Sequence, residues 1–183
     1  MQQISAHFSA APNPASWKGR LRDGRLIHIR PIDPADVSLE RDFLSRLTPE
    51  GLSYRFLGLI KDDSEEAARD LTHFDPRELA LVAIADEDGS EVEVGVACYR
   101  ASDDGTRCDC AVTVDPAWQK CGVGGILMQH LIGMARLRGI RRMYAVDAVR
   151  SAGTHALARH LGFHSRPDPE DPASVTFELE LND

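Results

Sequence analysis

The chain has no apolar run near the roughly 18 residues that a membrane-spanning helix needs, so it is not expected to enter a bilayer. It also has no clustered Lys/Arg face: 21 basic residues stand against 29 acidic ones, a formal net charge of -8. A phosphate-backbone partner calls for such a face, so nucleic acid is not expected as a partner. The four cysteines, Cys98, Cys108, Cys110 and Cys121, form no disulfide framework, and the N-terminus lacks the charged-then-apolar layout of a signal peptide. Reduced thiols in a cytoplasmic protein are the expectation. Cys108-x-Cys110 has no second ligand pair, which favours core packing over zinc, and no metal is expected. There is no internal repeat. Neither G-x-x-x-x-G-K-[ST] nor a dinucleotide fingerprint with its acidic residue about twenty positions on is present.

What is present fits one compact domain. Of 183 residues, 43% are hydrophobic and 27% charged, enough for a core without disulfides. Residues 1–16 lack periodicity and read as a flexible N-terminal arm, with a single domain over 17–183. "RLIHIR" (25–30) alternates and suits a strand, with Ile27 and Ile29 on one face. Asp33, Pro34 and Asp36 announce a helix start, and Leu39, Phe43 and Leu47 supply its apolar stripe. "TPE" (48–50) opens a second short helix toward Tyr54 and Phe56, and 64–71 a third. "LALVAIA" (79–85) is apolar on both faces, as a central strand covered on both sides would be.

Strands over 92–100 and 106–114 follow, joined through Asp104-Gly105, a hairpin signal. Next comes a helix over 123–138 with Val123, Leu127, Leu131 and Met134 on one face, stopped by Gly139. A strand (143–149), a helix (153–161) ended by Gly162, and a strand (175–181) complete the chain, with "RPDPEDPA" as a polar loop before the last. This order predicts an α/β (α+β) fold with a mixed sheet flanked by helices. The connection from 106–114 through the helix to 143–149 is long enough for a parallel crossover. The stretch after Val114 then lies at the carboxyl end of a strand, where such sheets bind ligands.

That stretch, Gln119, Lys120, Cys121, Gly122, Val123, Gly124 and Gly125, aims backbone amides at a helix N-terminus, a ready anion site. Side chains at Gly122 or Gly124 would hold a phosphate off the amides, and one of these residues can need positive φ. Lys120 adds a charge. Glycines serving only a tight turn and helix packing explain the same residues equally well.

The Q-x-x-G-x-G of Gln119, Gly122 and Gly124, after the V-x-V strand end at Val112 and Val114, resembles the acyl-CoA signature of the GNAT acetyltransferase superfamily. "ALARHLGF" (156–163) is similar to that superfamily's last helix and Gly-Phe. "DGRLIHIRPIDPAD", "YRF" and "ELALVAI" resemble the acetyltransferase domain of bacterial protein lysine acetyltransferases that act on acyl-CoA synthetases. The resemblance implies a mostly antiparallel sheet with a splayed parallel strand pair, holding acetyl-CoA as co-substrate. Val112, Thr113 and Val114 would line its pantetheine arm, the amides of Lys120, Cys121, Gly122, Val123, Gly124 and Gly125 would take its pyrophosphate, and Gln119 would also belong to the cofactor site.

The resemblance also places Asp109 where the lysine acetyltransferases have a glutamate base, and the backbone N–H of Val112 where an oxyanion needs a donor. Ser151 stands where many members carry a cofactor-binding asparagine, and Ala158 where many carry a tyrosine acid, leaving solvent or Tyr144 to protonate the thiolate. A surface aspartate paired with Arg100 or Arg107 is the alternative for Asp109. The expected reaction is acetyl transfer to a primary amine, most simply a protein lysine. A small-molecule amine or a non-catalytic acyl-CoA sensor is the alternative, in a monomer or homodimer.

Overall fold

The computed structural model describes residues 16–49, 64–73, 75–148, 152–168 and 171–181. The strands are β1 (Trp17–Arg20), β2 (Leu26–Pro31), β3 (Glu78–Glu87), β4 (Ser90–Ala101), β5 (Arg107–Val114), β6 (Arg142–Ala148), β7 (His164–Pro167) and β8 (Ser174–Glu180). The helices are α1 (Val37–Arg46), α2 (Glu65–Thr72), α3 (Val123–Leu137) and α4 (Ala152–His160). All eight strands form one sheet in the order β1-β2-β3-β4-β5-β6-β8-β7. Every neighbouring pair is antiparallel except β5 and β6, which run parallel across the α3 crossover.

Several helix ends have an identifiable cause. Asp33 accepts from the Ala35 amide while Asp36 accepts from the Asp33 amide, closing a capping box over a 3-10 turn, Pro34–Asp36, that leads into α1. Arg30 grips the same Asp36 carboxylate through both terminal nitrogens, at 2.6 and 2.8 Å, fixing the corner between β2 and α1. Burial pushes the Asp36 carboxyl up, but Arg30 and the Asp33 amide outweigh it and hold the group below its ordinary range. Ser64 caps α2 through the Ala67 amide. Gly139, at φ 79°, lets the chain leave α3. Of the helix expected from Thr48 onward, Tyr54, Arg55 and Phe56 lie outside the described residues.

β3 is the centre of the core. Leu79, Leu81, Ala83 and Ala85 face the layer of α3, whereas Ala80, Val82 and Ile84 face Phe43 and Leu44 of α1 and Ala68 and Leu71 of α2. All seven are buried, which is why this segment reads as a continuous apolar run. The sheet is thus the middle of three layers.

Two strands were not anticipated, β1 and β7. Both are four-residue edge strands: β7 is exposed throughout, whereas β1 turns Trp17 and Gly19 partly inward and leaves Lys18 and Arg20 exposed, an alternation with a single apolar side chain to report it. β7 ends at Pro167, placing the start of "RPDPEDPA" in the sheet; a proline is tolerated at such an edge. The β3/β4 turn is the tight pair Asp88-Gly89, both at positive φ, a second Asp-Gly hairpin like that at Asp104-Gly105.

α3 lies close against the sheet because β4 carries Gly95 beneath it. A β-carbon there would stand 3.0 Å from Val123 Cγ1 and 3.2 Å from both Leu127 Cδ1 and the Thr113 carbonyl oxygen. Gly95→Val should therefore destabilise the protein by about 1–3 kcal/mol, read as a lower thermal midpoint. Gly133, inside α3 with open space around it, should behave in the opposite sense: Gly133→Ala should stabilise by up to about 1 kcal/mol.

Candidate active site

β5 pairs with β4 along its whole length, from Ala101↔Cys108 to Gly95↔Val114. Its pairing with β6 covers only Arg107↔Arg142, Cys108↔Met143 and Asp109↔Tyr144. Beyond that point the two strands diverge and form a fork. The hydrogen bonds Asp115 N–H to Val94 and Ser102 N–H to the Arg107 carbonyl show that odd-numbered β5 residues direct their main-chain groups at β4. Even-numbered ones face β6. Val112 and Val114 therefore present their main chain to the fork, while that of Thr113 is committed to β4 and its side chain is buried.

The turn closing the top of the fork is built on two left-handed residues, Lys120 at φ 63° and Gly122 at φ 111°. Gly122 is the N-cap of α3, and the Ile126 amide bonds back to its carbonyl. The amides of Val123, Gly124 and Gly125 thus belong to the helix's first turn, which has no intrahelical acceptors for them. A β-carbon on Gly124 would lie 3.4 Å from both Val114 Cγ2 and Leu157 Cδ2, so the bare backbone lies between the fork wall and α4. These residues fit an acyl-CoA: free strand amides beside the arm and bare helix-start amides at its anionic end.

Other residues of the turn hold its shape. The Gln119 side-chain amide donates to the Val114 carbonyl at 3.3 Å, and Cys121 turns its thiol inward toward the Trp118 carbonyl at 2.7 Å. Asp115 caps the 3-10 turn Pro116–Trp118 and receives the Arg46 Nε at 2.6 Å, while Arg46 also donates to the Glu93 carbonyl at 2.7 Å. α1 is thereby tied to the base of the turn. Two arginines not expected at this turn approach from the β1/β2 connection: the Arg22 amide donates to the Cys121 carbonyl at 3.0 Å, and the guanidinium of Arg25, read from sequence only as the start of a strand, stacks 3.6 Å over the Trp118 ring. No spacing rule links residues a hundred positions apart, so only the Arg-rich character of "GRLRDGR" could have drawn attention to them.

Asp109 sits at the last register pair before the fork opens, on the face shared with Arg107, Ala111 and Thr113. Its side chain reaches solvent and makes no hydrogen bond or ion pair among the described residues. Surrounding protein nevertheless pushes its carboxyl above the ordinary range, outweighing the opposing charges of Arg107 and Arg100. Tyr144, its register partner, is directed elsewhere: the hydroxyl donates to Glu178 Oε1 on β8 at 3.3 Å. Ala158 is buried on α4 and offers no acid, and Ser151 lies outside the described residues. All four cysteines are buried and free, with Cys108 and Cys110 in the core. His155 packs edge-on against Phe177 at 5.0 Å. Among the described residues no group of His, Cys, Asp and Glu is arranged to hold a metal, and no helix is long and apolar enough to cross a membrane.

The acetyltransferase (GNAT) family model matches residues 44–163, which include the fork, the turn and α4. The chain belongs to the GNAT acetyltransferase family. It is 39% identical over 173 residues to an acetyltransferase of Pseudomonas aeruginosa, covering 94% of this chain and 93% of that protein. To the chloroplastic GCN5-related N-acetyltransferase 1 of Arabidopsis thaliana it is 33% identical over 144 residues, 73% of this chain and 68% of the other. The GNAT domain of S. lividans PAT shares the fold with a TM-score of 0.78 at 24% identity, covering 91% of this chain and 98% of that one. Ribosomal-protein-S5-alanine acetyltransferase of Vibrio fischeri does so at 0.71 and 12% identity, covering 93% and 98%. The protein is an acyl-CoA-dependent N-acetyltransferase that uses acetyl-CoA as co-substrate and an amine as acceptor.

In this acetyltransferase the bond from Arg46 to Asp115 anchors the turn. Asp115→Asn should lower the unfolding free energy by about 1–3 kcal/mol, a partly exposed arginine recovering some hydration; urea denaturation measures it.

Proposed function

We propose that the acceptor is a protein lysine and that Asp109 is the general base. The observation that carries the reading is a coincidence in space: pairing between β5 and β6 stops at Asp109, and the amides it leaves unpaired start at Val112. From Asp109 to Val114 is five residues of strand, about 16 Å at the usual rise. That span separates a carboxyl at one end from bare helix-start amides at the other. An extended arm with a thiol at one end and a diphosphate at the other suits it.

The thioester supplies an activated acetyl group; the protein aligns it and manages protons. Val112 N–H is the oxyanion donor, and the Val112 and Val114 main chains hold the arm as a pseudo-strand. The amides from Lys120 to Gly125 take the diphosphate, with Lys120 and the neighbouring Arg22 adding positive charge. Asp109 receives the amine proton, directly or through a water. Reference pKa values of ~3.9 and ~10.4 oppose that transfer by roughly 9 kcal/mol. Protein around Asp109 narrows the gap by raising its carboxyl. With the Tyr144 hydroxyl turned to Glu178 and alanine at position 158, solvent protonates the departing thiolate. The lysine assignment rests on the segments resembling bacterial lysine acetyltransferases. The name of the Vibrio fischeri neighbour specifies an alanine of ribosomal protein S5, and a protein acceptor on a similar fold supports a protein acceptor here.

Asp109→Asn should reduce kcat by about a hundredfold or more while leaving the calorimetric affinity for acetyl-CoA unchanged; retained turnover would remove Asp109 from this role. Because its carboxyl is raised, the acid limb of the kcat profile should lie above the ~3.9 of a free aspartate. Radiolabelled acetyl transfer, comparing protein lysines with polyamines and small amines, tests the acceptor. Labelling of small amines alone would overturn the lysine reading.

A further inference from the structure

Asp109 lies in a row of polar side chains crossing the sheet. Register places Glu78 of β3 opposite Arg100 of β4, Arg100 opposite Asp109 of β5, and Asp109 beside Tyr144 of β6. Directly paired residues share a face, so these four side chains stand side by side. An arginine directly opposite an aspartate is the usual arrangement for a cross-strand ion pair, yet Arg100 and Asp109 make none. The Arg100 Nε instead contacts Glu78 Oε1 at 2.5 Å.

Glu78 is well placed to keep that arginine. Its side chain is 8% exposed, its other oxygen accepts from the Asp75 amide at 3.3 Å, and its carbonyl accepts from Arg138 at 3.2 Å. A carboxylate fixed this way competes for the guanidinium better than the solvent-facing Asp109 does. Among the described residues, the charged and titratable groups around Asp109 are Arg107 and the buried thiols of Cys108 and Cys110 on its own strand, Arg100 with Glu78 behind it, and Tyr144 with Glu178 behind it. Neither α1 nor α2 brings a charge that acts on Asp109 among the described residues.

We propose that Glu78 is a positioning residue which, by holding the Arg100 guanidinium on the β3 side, prevents an ion pair with Asp109 and keeps the carboxylate at the fork free to accept a proton. This rests on the reading of Asp109 as the base, but the geometry can be tested without turnover. Releasing Arg100 would give Asp109 a cationic partner, stabilise its charged form and make it a poorer base. Removing Arg100 would do the reverse.

The experiment is a carbon-13 NMR titration of the Asp109 carboxyl, assigned by its loss in Asp109→Asn, alongside kcat against pH. Glu78→Gln keeps the shape and removes the charge; it should lower the Asp109 midpoint by about one pH unit and move the acid limb of kcat with it. Arg100→Gln should raise the midpoint, and the double variant should follow Arg100→Gln. A midpoint in Glu78→Gln that is unchanged or raised overturns the proposal, as does a double variant that still titrates low. Should Glu78→Gln fold poorly, Glu78→Asp, which draws the carboxylate back from Arg100, replaces it: a lowered Asp109 midpoint supports the proposal, and an unchanged or raised one overturns it, as does the absence of an upward shift in Arg100→Gln. If the midpoints move as expected while the acid limb stays fixed, the role of Glu78 is supported and the reading of Asp109 as base fails.

Discussion

The fork between β5 and β6 is the constraint on which the rest of the site depends. Backbone amides inside a sheet are normally satisfied by a neighbouring strand, and leaving them unpaired is costly unless water or a ligand takes them. Here one strand keeps full pairing with β4 and loses β6 after Asp109. The loss is accommodated because β6 remains held from its other side by β8, from Arg142↔Glu180 to Ala148↔Ser174. Each strand of the fork thus has one secure edge, and the opening between them survives without collapsing into a regular parallel pair.

The glycines are spent where α3 must approach other backbone. Gly95 lets the helix settle onto β4, Gly122 turns the chain into it, and Gly124 lies against Val114 and Leu157. These positions set the height of the helix start above the strand end. Arg46, reaching from α1 to Asp115 and the Glu93 carbonyl, ties the opposite layer to the same turn. The two helical layers are therefore coupled at the place where the cofactor is proposed to enter.

Much of this was legible in the sequence because it is local. The seven apolar residues of β3, the stripe Val123, Leu127, Leu131 and Met134, and the Asp33 cap all report their structure through spacing or through a single side chain. β1 and β7 were not legible: β7 is exposed throughout, and the alternation of β1 rests on Trp17 alone, with a glycine at its other inward position. The β1/β2 turn beside the glycine turn was hidden for another reason: its contacts with Cys121 and Trp118 are set by tertiary packing. The segment "IRPIDPAD" carries part of the resemblance to lysine acetyltransferases, and its Arg30 and Asp36 hold the β2/α1 corner. That portion of the likeness speaks to architecture rather than to the acceptor.

The alternation along β5 makes the strand a ruler with a two-residue step. Asp109 needs an odd position, so that its side chain leaves the sheet at the fork, and Val112 needs an even one, so that its amide lies in the plane facing β6. Adding or deleting one residue between them would keep the composition and reverse the parity, turning the donor toward β4. Length variation within this strand is thus tolerable only in pairs.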